Sequence, residues 1–381
     1  MSDKQTVKFG DICREVKLTT KDPIADGYER YIGLEHLDSG SLKIRRWGMI
    51  AEDNPSFTRV FKKGHILFGK RRPYLKKAAI AEFDGICSGD IIVIEPSSNL
   101  EVPDLLPFII QSEVMWDHAI RTSSGSLSPR TKFKSISELN IRLQNSDKQC
   151  STLKPLQKLE DIDERYEQLI AESMEVYCDV FNDCISREKN ESYPLGSIGT
   201  FTGGGTPSKS NEEYWSNGSI PWVTPKDMGG LFIYSSIDLI SDLALEDKKM
   251  KKLPSSTILF VTRSGVLRHT FPISFTTNEV TINQDLKALQ INSEKIEPMY
   301  AYIYLWVNSE KIRKDCMKVG TTVESIDFNA LKKFKIEVPC VDAQRQLIEL
   351  FYEFLRVKTS LEEKINSLYK IRINLTNQVI G

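Results

Sequence analysis

The chain has 381 residues, 40% of them hydrophobic and 27% charged, with a formal net charge of −1. That length can bury large cores in two or three domains, and the balanced charge argues neither for nor against a nucleic-acid partner, because recognition depends on local charge. Seven scattered cysteines without a C-x-x-C pair fit free thiols better than a disulfide framework or a zinc site, and the absence of a signal-like or membrane-length apolar stretch leads to an expectation of a cytoplasmic protein.

Taken in chain order, the elements occur twice. Val7-Lys8-Phe9-Gly10-Asp11-Ile12 recurs as Tyr193-Pro194-Leu195-Gly196-Ser197-Ile198, 186 residues on. Tyr31 to Leu37 aligns with Trp222 to Met228, and Ile66-Leu67-Phe68-Gly69-Lys70-Arg71 with Ile258-Leu259-Phe260-Val261-Thr262-Arg263. Gly125, Phe133 and Ile141 then match Gly320, Phe328 and Ile336, all at an offset of 195. Single matches of this kind are weak, but their collinear order indicates an internal duplication. Each copy opens with short β-type runs (63–69, 91–95, 256–262, 286–291) between Gly, Pro, Ser and Asn turns, and continues through a helical stretch at 104–121 or 298–318.

A long helix closes each copy, opening at Asp147 in the first and Asp342 in the second, where aspartate suits the N-cap. Heptad spacing assigns a seam to Leu159, Ile162, Tyr166, Leu169, Val176 and Val180, and to Leu347, Leu350, Phe354, Val357, Leu361, Leu368, Ile371 and Leu375. Ser173, Lys364 and Gln378 interrupt these seams, and Pro155 is expected to kink the first helix or delay its start. The expected fold class is α/β (mixed α+β), with two similar globular domains separated by a pair of long antiparallel coiled-coil helices and a pseudo-twofold from duplication. The expected division is 1–146, 147–189, 190–341 and 342–381. Packing of each helix on its own globular domain is the plainer alternative.

The segment 59–77 concentrates Arg59, Lys62, Lys63, Lys70, Arg71, Arg72, Lys76 and Lys77, with Tyr74 among them and no acidic residue. Such a run neutralises phosphates by counterion release, and Arg71 and Arg72 have the fork that reads guanine edges; alone, it is also compatible with a solvated surface. Thr262, Arg263, Ser264, Arg268 and His269 follow the matching strand in the second copy. Ser124, Gly125 and Ser126, and Gly320, Thr321 and Thr322, are small hydrogen-bonding loops beside Arg121, Arg130 and Lys318, suited to phosphate but also to plain turns. Lys226 and Asp227 are further candidates, with Asp227 a potential acceptor from cytosine. The first long helix is strongly acidic from Glu160 to Asp183, which suits solvent or a basic partner.

Together, Tyr31-Ile32-Gly33-Leu34-Glu35-His36, the run from Tyr193 to Ile198 leading to Gly203-Gly204-Gly205-Thr206-Pro207-Ser208, Ile220 to Met228, and Gly320 to Pro339 before the Gln344-bearing helix resemble the specificity subunits of type I restriction-modification systems. The resemblance covers essentially the whole chain. It implies two target-recognition domains on double-stranded DNA, each reading half of a bipartite site, with helices that set the spacer and dock two methylation subunits. Restriction/motor subunits would join them. It further implies a non-catalytic chain that binds no cofactor itself, with S-adenosylmethionine, ATP and Mg on the partners.

Enzymatic readings fare worse. Gly64 to Lys70 approximates a phosphate loop, but Arg71 replaces the needed Ser or Thr and the interior is an apolar strand. Asn54-Pro55-Ser56-Phe57 and Phe201-Thr202-Gly203-Gly204-Gly205 resemble adenine-methyltransferase motifs, yet each occurs in only one copy and neither has the expected flanking elements. His36, His65, His118 and His269 are too far apart in sequence to suggest a metal site or a triad. The alternatives to a specificity role are therefore a self-contained DNA adenine methyltransferase and a coiled-coil scaffold that does not bind DNA.

Overall fold

The structure is a computed structural model that describes residues 4–247, 250–318 and 323–380. It divides into two compact units, Met1–Gln168 with Leu361–Gly381, and Leu169–Ser360, so the boundaries fall inside the two long helices.

In the first unit, a four-stranded antiparallel sheet runs in the order Cys13–Glu15, Ile91–Pro96, Ile66–Gly69, Ala78–Ile80. Ile66, Leu67 and Phe68 are all buried because this inner strand is covered on both faces. A second sheet orders Gly48–Met49, Arg30–Ile32, Gly85–Cys87 and Arg59–Phe61, with its middle pair parallel. Phe68 stacks on Trp116 at 4.8 Å, and Leu156, Val379 and Ile380 of the long helices join this core.

The second unit repeats the plan. Gly199–Gly203, Leu286–Ile291, Ile258–Val261 and Ile273–Thr276 form the corresponding antiparallel order, extended by Phe232–Ile233. Trp222 and Val223 run parallel to Thr281 and Ile282, as Tyr31 and Ile32 run parallel to Ile86 and Cys87. The duplication read from scattered matches is thus a duplication of strand order. Tyr300, Tyr302 and Phe260 centre the second core, which also takes Tyr177, Phe181, Leu347, Phe351 and Phe354 from the long helices.

The first long helix spans Ser146–Arg187 and the second Val341–Ile380. Asn145, and not Asp147, caps the first, its Oδ1 accepting the Lys148 N–H at 3.0 Å. Pro155 lies inside the helix and does not delay its start, which precedes it. Within the first unit the helices are antiparallel: Leu156 shares a core with Val379 and Ile380, and further along Glu160 pairs with Arg372.

The seam differs from the heptad expectation. In the second helix Leu347 and Phe354 are buried and Leu361 and Leu368 half-buried as expected, but Phe351 replaces Leu350, and Val357 and Ile371 point largely to solvent. In the first helix the buried residues are Leu156, Tyr177, Phe181 and Ile185, and at Tyr177 and Phe181 the inward stripe is displaced by one residue from the expected seam. Leu159, Ile162 and Tyr166 are half-buried, whereas Leu169, Val176 and Val180 are exposed. The aromatic cores of the globular parts decide this phase, since Tyr177 packs against Trp306 as well as Phe351 and Phe354.

Candidate nucleic-acid interface

Parallel strands send their following loops out of the same end of a sheet, and that end gathers the candidate residues. In the first unit the Ser88 N–H bonds the Ile32 carbonyl at 2.9 Å, the Asp90 carbonyl takes the Lys70 N–H at 3.0 Å, and the Lys70 carbonyl takes the Thr131 N–H at 3.0 Å. The loops at 70–77, 88–90 and 124–131 therefore meet. The second unit uses the same joints: Asn283 N–H to the Val223 carbonyl at 3.0 Å, Thr262 N–H to the Asp285 carbonyl at 2.8 Å, and Ile326 N–H to the Thr262 carbonyl at 2.9 Å. Two β-bridges, Arg71 with Arg130 and Arg263 with Ser325, complete the match.

The side chains of the first basic run divide into two groups. Arg59 pairs with Glu15 at 3.2 Å, Lys62 with Asp84 at 2.9 Å, and Lys76 with Glu113 at 2.5 Å. Lys77 donates to the Leu34 carbonyl at 2.8 Å, and burial lowers its pKa. Lys76 and Lys77 are thus tied to neighbouring groups within the fold. Arg71 donates to Ser128 Oγ at 2.6 Å and lies 3.6 Å from Asp90. Arg130 clamps the same Asp90 at 2.8 and 3.2 Å, and this hydrogen bonding holds the Asp90 carboxyl below its ordinary pKa. Arg72 adopts a left-handed backbone at φ 54°, and its exposed side chain has no hydrogen bond or ion pair among the described residues. Lys70 is half-buried, and Tyr74, Ser124, Gly125 and Ser126 are exposed.

The second unit presents fewer cations. Thr262 is buried, its hydroxyl on the Asp285 carbonyl at 3.0 Å, so it shapes the loop and is not displayed. Ser264 accepts from the Val266 N–H at 3.4 Å and starts the turn Gly265–Arg268. Arg263 and His269 are exposed, and Arg268 pairs with Glu324 at 2.6 Å. Lys226 lies at the surface, paired with Asp238 at 2.7 Å. Asp227 is committed to the Thr224 N–H and hydroxyl at 2.9 Å each and the Ile237 N–H at 2.9 Å, so it is a loop brace and not an acceptor facing outward. Gly320, Thr321 and Thr322 lie outside the described residues.

The structure therefore joins Lys70, Arg71 and Arg72 with the 124–130 loop, a convergence that sequence separation concealed. It also assigns a bracing role to Asp90 and Asp285, which sequence reasoning did not single out; their recurrence at an offset of 195 was the available signal. Asn54 ends a four-residue helix, and Gly203 ends a strand that no helix follows directly, so neither has the setting of a cofactor loop. Among the described residues, no cluster of His, Cys, Asp or Glu is placed to hold a metal ion, and no helix is long and apolar enough to cross a membrane.

Residues 187–368 match the family described as the Type I restriction modification DNA specificity domain. The chain is 38% identical over 178 residues to the type I restriction enzyme EcoR124I/EcoR124II specificity subunit of Escherichia coli, covering 47% of this chain and 44% of that one. The chain thus spans less than half the length of the first such relatives. It is 20% identical across 96% of both chains to the HindI specificity subunit of Haemophilus influenzae. A solved S subunit of the type I restriction-modification system of M. genitalium shows 14% identity over 99% of this chain and 96% of that one, with a TM-score of 0.47. The matched domain lies in one copy of a duplicated strand order, and the HindI alignment runs through both: residues 187–368 are similar to the Type I restriction modification DNA specificity domain, and the chain as a whole is similar to type I restriction-enzyme specificity subunits.

Proposed function

We propose that this chain selects the target of a type I restriction-modification complex by binding double-stranded DNA, each unit reading one half of a bipartite site. The carrying observation is the repeated joint at the strand ends, where Lys70 and Thr262 bond to Asp90 and Asp285, on a frame that carries exposed Arg72 in one unit and exposed Arg263 in the other. Exposed Arg72 and the Arg71–Arg130 pair supply fork-shaped donors for phosphate or guanine in the first unit; Arg263, Arg268 and His269 supply a sparser set in the second. Two methylation subunits and the restriction subunits act as partners in the cytoplasm, and S-adenosylmethionine, ATP and Mg bind to those partners. The chain itself is not catalytic.

A methylation map tests this reading. Co-expression with the neighbouring methylation subunit in a methylation-free host should produce N6-methyladenine in a split motif with a fixed unspecified gap. A continuous motif that persists without the partner would instead identify a self-contained methyltransferase. A complex that forms without salt-sensitive DNA binding would identify a scaffold.

A further inference from the structure

Leu127 is 91% exposed, more than any other large apolar side chain among the described residues; Ile237 and Tyr234 follow at 72% and 66%. A lone exposed leucine is ordinary on a mobile surface. This one is held. Gly125, at φ +109°, turns the chain, and Ser124 and Arg130 exchange backbone hydrogen bonds of 3.0 and 2.9 Å across the base of the loop. Arg71 Nε donates to the Ser128 hydroxyl at 2.6 Å, the Arg72 N–H to the Pro129 carbonyl at 2.7 Å, and Arg130 grips Asp90. The loop tip is therefore displayed from a braced base, with three guanidinium-bearing residues attached to that base and Ser126 and Ser128 on either side of the leucine.

Guanidiniums hold phosphates, and an apolar tip between held phosphates gains free energy only by leaving water. The dry place within reach of a duplex backbone is the base stack, where leucine wedges part a base step. We propose that Leu127 inserts into one base step of the half-site bound by the first unit, positioned by Arg71, Arg72 and Arg130, and so fixes the register in which that half is read. The proposal rests on the DNA-recognition reading above and names a positioning residue for it.

The test uses the full chain in complex with its methylation subunits and duplexes carrying the mapped motif, with 2-aminopurine placed at each position of that half-site in turn. The wild-type complex should raise fluorescence at one step; Leu127→Ser should abolish that rise, Leu127→Phe should retain it, and affinity for Leu127→Ser should fall about tenfold, the scale of a leucine that loses its burial. A side chain this exposed contributes little to folding, so the serine variant should melt with the wild type. A rise that persists unchanged in Leu127→Ser, or specific binding with no rise anywhere in the half-site, overturns the wedge and leaves the recognition role standing. A wild-type complex with no preference for the mapped motif overturns the recognition role itself, and the wedge with it.

Discussion

The long-helix segments of the two units occupy equivalent places in the duplication and are built from opposite chemistry. At the offset of 195, Arg372 is the counterpart of Tyr177, Glu160 of Leu355 and Asp163 of Lys358. In the first unit Arg372 is only 5% exposed, with its guanidinium on Glu160 and on the Gly40 carbonyl and Tyr369 beneath it at 5.0 Å. In the second, Tyr177 stacks on Phe354 at 5.0 Å and Leu355 packs against the same apolar core. An aromatic seam is stabilised by area removed from water and tolerates imperfect fit. A buried ion pair depends on both partners being present and correctly placed. The duplication has kept the backbone position and exchanged the force that holds it, so charge-altering changes should act first on the first unit.

The largest expected effect breaks the contrast directly. Arg372→Ala leaves Glu160 buried without its partner and should lower stability by about 3–5 kcal/mol, read from denaturant midpoints. Writing the second unit's residues into the first, Glu160→Leu with Arg372→Tyr, should recover most of that loss, because apolar replacements spare the desolvation of both charges. If the single variant unfolds like the wild type, the seam does not depend on the pair. The arginine also reaches further: the Gly40 N–H bonds the Lys76 carbonyl at 2.9 Å, so loss of Arg372 should disturb the segment that carries Arg71 and Arg72.

A smaller effect separates the helix starts. Gln344 Nε2 donates to Lys295 and Pro339 carbonyls at 2.8 and 2.9 Å, while its Oε1 accepts the Glu297 N–H at 2.9 Å. Its counterpart Gln149 donates to the Gln144 carbonyl at 2.7 Å, and its Oε1 is buried without a partner. Gln344→Ala should therefore cost about 2–3 kcal/mol and Gln149→Ala about 1 kcal/mol or less in the same unfolding measurement. Equal losses would mean that the buried bonds of Gln344 add nothing.

Arg72→Ala should weaken DNA binding about tenfold and reduce the slope of affinity against salt by about one counterion, in the half-site read by the first unit. Arg263→Ala should do the same in the other half. Methylation of duplexes altered in one half at a time reads the assignment. An equal change in both halves for either variant would show that the loops are not private to their units.

The duplicated frame was legible because glycines and apolar runs recur in order, and the basic run was legible because eight cations stand close together in sequence. What each cation does was not. Lys76 meets Glu113 and Arg130 meets Asp90 through long-range folding that local composition does not encode. The first seam was read one residue out of phase for a physical reason: Val176 and Tyr177, like Val180 and Phe181, are adjacent apolar residues, so two stripes overlap in the heptad pattern. The pattern alone cannot rank them, and packing against Trp306, Tyr300 and Tyr304 does. Arg372 was missed because the heptad stripe ran through Ile371, one residue before it, and hydrophobic spacing gives no weight to a buried arginine.

The smallest effect is in pH. Burial, then the nearby carboxylates of Glu160 and Glu167, pushes the Asp163 carboxyl up to about 6, against the opposing pull of Arg372 and Arg45. Its Oδ1 has no hydrogen-bond partner in a cavity of about 460 Å³ that Asp38, Arg45, Tyr369 and Arg372 also line. An acid whose folded pKa is raised favours the fold while protonated: the contribution is complete below the unfolded value near 4 and disappears as pH rises through about 6. Asp163→Asn should thus be more stable than the wild type at pH 7 by about 1 kcal/mol, a figure reduced for the partial exposure of the group, and should lose its advantage toward pH 4. Asp90→Asn has the opposite sign. The Asp90 pKa is held low by Arg130, so its contribution is present above the ordinary carboxylate range and is lost as pH falls through the folded value. Subtracting each variant's stability curve from the wild type's removes the titration shared by all other carboxylates. Difference curves of the same sign would contradict the placement of one of the two aspartates, whereas opposite signs would assign the acid-favoured component of stability to the polar helix seam.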